Sequence, residues 1–285
     1  MYLEFYKLHE FPFALSCDSK YFYESAVHTE ALANMIYAVQ QRKGMVLITG
    51  EVGAGKSFVG YVLRERLGPG CQTVLMQNPP ESKKQLLRSF ARQAGLTTRA
   101  SADKVTLEED LQDYLLRLHH RGRLVSLILD EAQEMTSASL EELRLLWNWE
   151  CEGQRLIQIV LIGQPELRHK IMEPRWEPLR QRIVLSYHLK NLTVDDTRDY
   201  VQHRLRVASL NGSSGVFTSA ALEAIHAATD GIPRLINTLC DNALLVGYVK
   251  GHTQIEAGVI MDVLRDMTCW GLQAGESKTA TVDNG

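Results

Sequence analysis

The sequence predicts an α/β protein in which a parallel sheet is flanked by helices and is followed by a second domain built from helices alone. Three observations lead there. The apolar run Met45 to Ile48 passes directly into Gly50-x-x-x-x-Gly55-Lys56-Ser57 and then into a helix with apolar residues at helical spacing. A second apolar run, Leu124 to Leu129, ends on Asp130-Glu131, as a strand buried on both faces and finishing at a ligand crevice would. From Thr193 onward the apolar runs stop and only helical periodicity remains. With 45% hydrophobic residues among 285, the chain can bury a sizeable core in one large or two modest domains.

Taken in order, residues 1–26 are rich in aromatics (Phe5, Tyr6, Phe11, Phe13, Tyr21, Phe22 and Tyr23) and carry Pro12, which reads as an irregular segment packed on the core. From His28, the spacing of Leu32, Met35, Ile36 and Val39 predicts a helix that ends at Arg42-Lys43-Gly44. The helix after the glycine-rich loop begins near Phe58, runs to about Leu67 and stops at Gly68-Pro69-Gly70; Thr73 to Met76 is the next strand. Leu86, Leu87, Phe90 and Leu96 mark one helix and Leu107, Leu111, Tyr114, Leu115 and Leu118 another, both expected to alternate with strands. After the strand ending at Asp130 come a helix over Ser139 to Trp149 and a strand from Leu156 to Ile162 that ends at Gly163-Gln164-Pro165. A further strand follows Leu179-Arg180-Gln181-Arg182.

The helical domain opens at Thr193-x-x-Asp196, which reads as a capping box with Asp in the usual Glu/Gln place. After a loop at Asn211 to Gly215, Thr218 caps a second helix, and Gly231-Ile232-Pro233 ends it and starts a third. Ile255 to Met267 is the fourth. The tail after Trp270 lacks apolar periodicity and reads as disordered.

The chemistry sits in the loop and the acids. In Gly50, Glu51, Val52, Gly53, Ala54, Gly55, Lys56, Ser57 and Phe58, the glycines let successive N–H groups and the helix start converge on phosphates. Lys56 is suited to the β/γ oxygens of ATP and Ser57 to Mg²⁺. Asp130 would hold Mg²⁺ directly or through water, and Glu131 would polarise the attacking water. Gln164 is placed to sense the γ-phosphate, although a plain polar turn residue also fits there. Arg180 and Arg182, at the start of a late strand, read equally well as a solvated face.

Composition narrows the class further. A formal net charge of −3 provides no global attraction to nucleic acid. The five cysteines are scattered without a C-x-x-C pair, which argues against zinc and disulfides and for a reducing compartment. No apolar run approaches the length of a membrane span and no signal peptide is visible, so the expectation is a cytoplasmic protein without a transmembrane segment.

A phosphate loop, an acidic strand, a polar residue after a third strand and a four-helix C-terminal domain resemble the AAA+ ATPases, a P-loop NTPase fold with a helical lid. More closely, Phe11-Pro12-Phe13, His28-x-Glu30-Ala31-Leu32, Asp130-Glu131-Ala132-Gln133, the run from Gln158 to Leu167, Leu179-Arg180-Gln181-Arg182-Ile183 and the run from Gly231 to Asn237 resemble the ExeA/GspA family of general secretion pathway ATPases, with its MshM relatives. The resemblance divides the chain into 1–26 (N-terminal segment), 27–190 (ATPase domain), 191–268 (lid) and 269–285 (tail). It implies that Gly50, Gly53, Gly55, Lys56 and Ser57 form Walker A, Asp130 and Glu131 Walker B, and Gln164 sensor 1. It further implies that Arg234 is sensor 2 and that Arg180 or Arg182 is the arginine finger entering a neighbour's site. The implied activity is Mg-dependent ATP hydrolysis by a homo-oligomer that drives assembly of a secretion or type IV pilus-like envelope system, in the cytoplasm or held at the inner membrane by a partner. Longer members continue into a membrane span and a wall-binding domain; this chain reads as a short MshM-type member, so wall binding is not carried over. The alternative is a DNA-associated switch of the TnsC/TniB or origin-recognition kind.

Overall fold

The computed structural model describes residues 2–210 and 215–269. Two compact units emerge, one formed by Glu24–Lys190 and the other joining Met1–Tyr23 to Asn191–Gly285. The chain opens with a short helix, α1 (Tyr2–Phe5), of the second unit.

The sheet unit then runs α2 (Ala26–Gln40), β1 (Met45–Gly50), α3 (Lys56–Leu67), β2 (Cys71–Met76), α4 (Lys83–Gln93), α5 (Lys104–His120), β3 (Leu124–Leu129) and α6 (Ser137–Trp147). A two-residue hairpin, β4 (Glu150–Cys151) and β5 (Gln154–Arg155), leads to β6 (Gln158–Gly163), α7 (Pro165–Met172), α8 (Glu177–Arg180) and β7 (Ile183–Leu189). Five strands pair in parallel in the order β2-β3-β6-β1-β7. β1 and β6 are buried at every residue and β3 at all but its first, which is why these strands read as apolar runs rather than as alternating patterns. β7, on the edge, alternates instead. Because β3, β6 and β1 are neighbours, the loops leaving their carboxyl ends open side by side, where an open α/β sheet receives its ligand.

One feature of the sheet unit differs from the expected alternation. The chain passes from β2 through α4 and α5 in succession before reaching β3. The apolar residues of both helices are used in a single core, with Leu86, Leu87, Phe90, Leu107, Leu111 and Leu115 fully buried beside β2 and β3. The turn between the helices is fastened by the Tyr114 hydroxyl, which donates to the Ala94 carbonyl at 2.6 Å.

In the helical unit, α9 (Val194–Ala208), α10 (Ser219–Thr229), α11 (Pro233–Lys250) and α12 (Ala257–Cys269) follow one another. α9 starts with the expected capping box: Asp196 N–H donates to Thr193 Oγ1 at 3.1 Å, and Thr193 N–H to Asp196 Oδ2 at 3.3 Å. Thr218 caps α10, and Pro233 occupies the first turn of α11. The N-terminal aromatic segment is part of this unit. Its anchor is the buried Arg204 of α9, whose guanidinium donates to the carbonyls of Pro12 at 2.6 Å and Ala14 at 2.8 Å while lying over the Tyr21 ring. Residues 211–214 of the loop expected at Asn211–Gly215, and the tail expected after Trp270, lie outside the described residues.

Candidate nucleotide site

The glycine-rich loop connects β1 to α3 without a break. Gly53 and Gly55 take φ of 83° and 91°, left-handed values that a side chain resists, and Gly55 is the residue from which α3 starts. Ser25, Ser82, Asp103 and Thr136 each cap the helix they precede with a side-chain oxygen; α3 has no such bond. No side-chain oxygen competes at its start, which is the positive end of the helix dipole and favours an anion. Glu51 and Val52 are exposed, Gly53, Gly55, Ser57 and Phe58 half-buried, and Ala54 buried. His28, at the start of α2, lies under the loop; its Nε2 is 4.0 Å from the point a Gly55 Cβ would occupy.

Lys56 is only 5% exposed, and its ammonium donates to the Glu51 carbonyl at 2.7 Å. Burial pushes the ammonium below its ordinary value, opposed by Glu131, Asp130, Glu51 and Glu166 nearby. The two motifs thus meet. Asp130, at the end of β3, is buried and accepts the Glu131 N–H at 3.0 Å, with the Ser57 hydroxyl close enough to act on its carboxylate. Burial raises its carboxyl, against the pull of Ser57, the Glu131 N–H and Lys56. A buried carboxylate beside a hydroxyl is a hard oxygen donor set, and a dication there would offset the cost of keeping Asp130 ionised. Among the described residues no group of three or more His, Cys, Asp or Glu could hold a metal, and a Mg²⁺ shared with phosphates needs none.

Glu131 occupies a left-handed conformation, φ 53° and ψ 37°, that few non-glycine residues adopt and that often marks functional sites. Its Oε2 accepts from Gln133 Nε2 at 2.6 Å. Gln164 follows β6, the neighbour of the acidic strand, and its N–H donates to Gln133 Oε1 at 3.0 Å. Gln133 and Glu166 are absent from the expected site. Both stand inside motifs quoted above, but no local pattern told them from other polar residues.

The arginines separate clearly. Arg182 shares the Trp147 ring with Arg155, at 5.3 Å and 4.2 Å, and donates to Asn148 Oδ1 at 3.1 Å and to the Pro178 carbonyl. Arg180 donates to the Met172 carbonyl at 3.2 Å. Arg234, second residue of α11, is exposed.

Fold and site together define a P-loop protein of the AAA+ ATPase class, and the AAA domain family matches residues 39–171. The chain is 39% identical to general secretion pathway protein A of Aeromonas hydrophila over 260 residues, 91% of this chain and 47% of that protein. It is an ExeA/GspA-like AAA+ protein that spans about half the length of that relative. In fold it is similar to Cdc6p of Pyrobaculum aerophilum (TM-score 0.68, 16% identity, 87% of this chain and 71% of that one). It is likewise similar to the Aeropyrum pernix ORC2 protein in its ADPNP-ADP complexes (TM-score 0.64, 16% identity, 84% and 66%). No helix of the described residues is long and apolar enough to cross a membrane.

Proposed function

We propose that this protein binds and hydrolyses ATP with Mg²⁺ at this site, and that the ATP/ADP cycle drives assembly of a secretion or type IV pilus-like envelope system. The observation that carries the reading is the meeting of Lys56, Ser57, Asp130 and Glu131 beneath an uncapped helix start. The loop and helix-start amides and the Lys56 ammonium take the phosphates. Ser57 and Asp130 would hold the metal, which when bound neutralises charge on the phosphate oxygens. Glu131 orients a water and accepts its proton as the water oxygen bonds to the γ-phosphorus and the bond to the ADP oxygen breaks. Gln164 attends the γ-phosphate and Arg234 the bound nucleotide. Of the two late arginines we assign the trans role in a homo-oligomer to Arg180, because Arg182 is taken up by Trp147, Asn148 and Pro178.

The biological process rests on the identity to the secretion protein, and the pilus-like, MshM-type setting and a cytoplasmic location at the inner membrane are parts of the same proposal. The test is Glu131→Gln, which should keep ATP affinity and lose about 10²-fold or more in turnover. Wild-type turnover in that variant would remove the assignment. ATP-trapped Glu131→Gln protein should retain an envelope-assembly component from cell extract; salt-sensitive retention on DNA instead would favour the DNA-associated alternative.

A further inference from the structure

Gln133 has no task in the reading above, yet its side chain joins two parts of the site. Its Nε2 donates to Glu131 Oε2 at 2.6 Å, and its Oε1 accepts the Gln164 N–H at 3.0 Å. A carboxylate can only accept and a backbone N–H can only donate, so a primary amide in this one orientation serves both. Gly163 makes the reach available, because a Cβ there would stand 2.8 Å from Gln133 Oε1. The far end of α7 is fastened to the same turn: Lys170 Nζ donates to the Gln133 carbonyl at 3.2 Å and to the Met135 carbonyl at 2.5 Å. The turn that presents Glu131 is therefore tied to both ends of α7, and Glu131's left-handed backbone needs such support.

We propose that Gln133 is a positioning residue for hydrolysis, which fixes the Glu131 carboxylate and ties it to the seating of α7. The inference rests on Glu131 being the base. One carboxylate oxygen is committed to the amide, so the other is presented to the water in a single orientation. Any partner that shifts α7 then reaches the Glu131 carboxylate through the Gln133 amide.

The test uses the full chain, with steady-state ATPase rates and nucleotide affinity measured for wild type, Q133A, E131Q and the double variant E131Q/Q133A. Q133A should lower kcat about 10- to 100-fold, the scale of a misplaced catalytic group, with KM and Kd for ATP within about twofold of wild type. The double variant should be no slower than E131Q alone, because Gln133 acts through Glu131. G163A should reproduce the kcat loss. Gln133→Met, close in volume and without the amide, serves if Q133A folds poorly. An inactive E131Q beside a Q133A of wild-type kcat overturns this inference and leaves the ATPase reading standing. A loss in Q133A that adds to that of E131Q, or that appears equally in KM, also overturns it. Wild-type turnover in E131Q removes the base assignment and this inference together.

Discussion

Two of the charged side chains buried in the sheet unit, Lys56 at the start of α3 and Glu142 within α6, are surrounded differently. Glu142 is completely buried, and burial pushes its carboxyl up. Its Oε2 lies 3.2 Å from Lys104 Nζ and 3.9 Å from Lys83 Nζ as ion pairs without hydrogen-bond alignment. Lys83 and Lys104 are the first residues of α4 and α5, so this carboxylate joins three helices and its counter-charges come from the fold itself. Lys56 is held by a backbone carbonyl and looks toward acids that a metal would share, beside a helix start without a cap. A buried charge answered by lysines of the fold is structural. One that faces acids beside an uncapped helix start is a candidate for ligand binding.

The largest expected effect breaks the comparison at Lys56. Lys56→Ala should abolish tight ATP binding and, with it, turnover, measured by titration with a fluorescent ATP analogue. Its thermal midpoint without nucleotide should stay level or rise, because a desolvated ammonium has been removed. Unchanged nucleotide affinity in folded protein would mean that Lys56 is a structural charge like Glu142.

The two arginines extend the comparison at the next scale. Arg180→Ala should lower the ATPase rate of assembled protein by about 10³-fold, as loss of an arginine finger does. Arg182→Ala should act mainly on stability, through loss of the Trp147 stack. Mixing Arg180→Ala with Lys56→Ala protein should restore part of the activity, because mixed neighbours rebuild complete sites. A dead mixture that still co-assembles would refute the trans role, and a rate loss in Arg182→Ala without a stability loss would reverse the assignment.

What could be read in the sequence was what neighbouring residues decide. β1, β3 and β6 are buried on both faces and are apolar almost throughout, so their positions followed from composition alone. The capping box of α9 was equally legible, since Thr193 and Asp196 stand three residues apart. Contacts between distant residues were not. Gln133 meets a backbone N–H 31 positions away, and Arg204 holds a carbonyl 192 positions away, which decides that residues 2–23 pack with the helical unit. Arg180 and Arg182 look alike until Trp147 is brought beside one of them. Helical spacing in 86–96 and 107–118 identified two helices but carried no information on whether a strand lay between them.

The smallest effect tests the structural half of the comparison. Lys104→Ala should cost about 2 kcal/mol of stability at pH 7, below the usual cost of breaking a buried pair because Lys83 stays at 3.9 Å. Glu142→Met, which removes the charge and fills the space, should stay within about 1 kcal/mol of wild type and should cancel most of the Lys104→Ala loss when the two are combined. The pH dependence has a definite sign. Burial raises Glu142 in the folded chain, so the fold binds this proton more tightly than the unfolded chain does. That stabilisation is complete below the unfolded carboxylate value of about 4.3 and is lost as pH rises through the raised folded value. Taking up the proton also removes the buried anion that Lys104 answers. The Lys104→Ala deficit, measured by urea unfolding, should therefore shrink as pH is lowered from 7 toward 5. A deficit that is constant over that range, or one that Glu142→Met does not cancel, would show that the Lys104 side chain stabilises the three helices by packing or through its 2.7 Å pair with Glu108 rather than by answering Glu142.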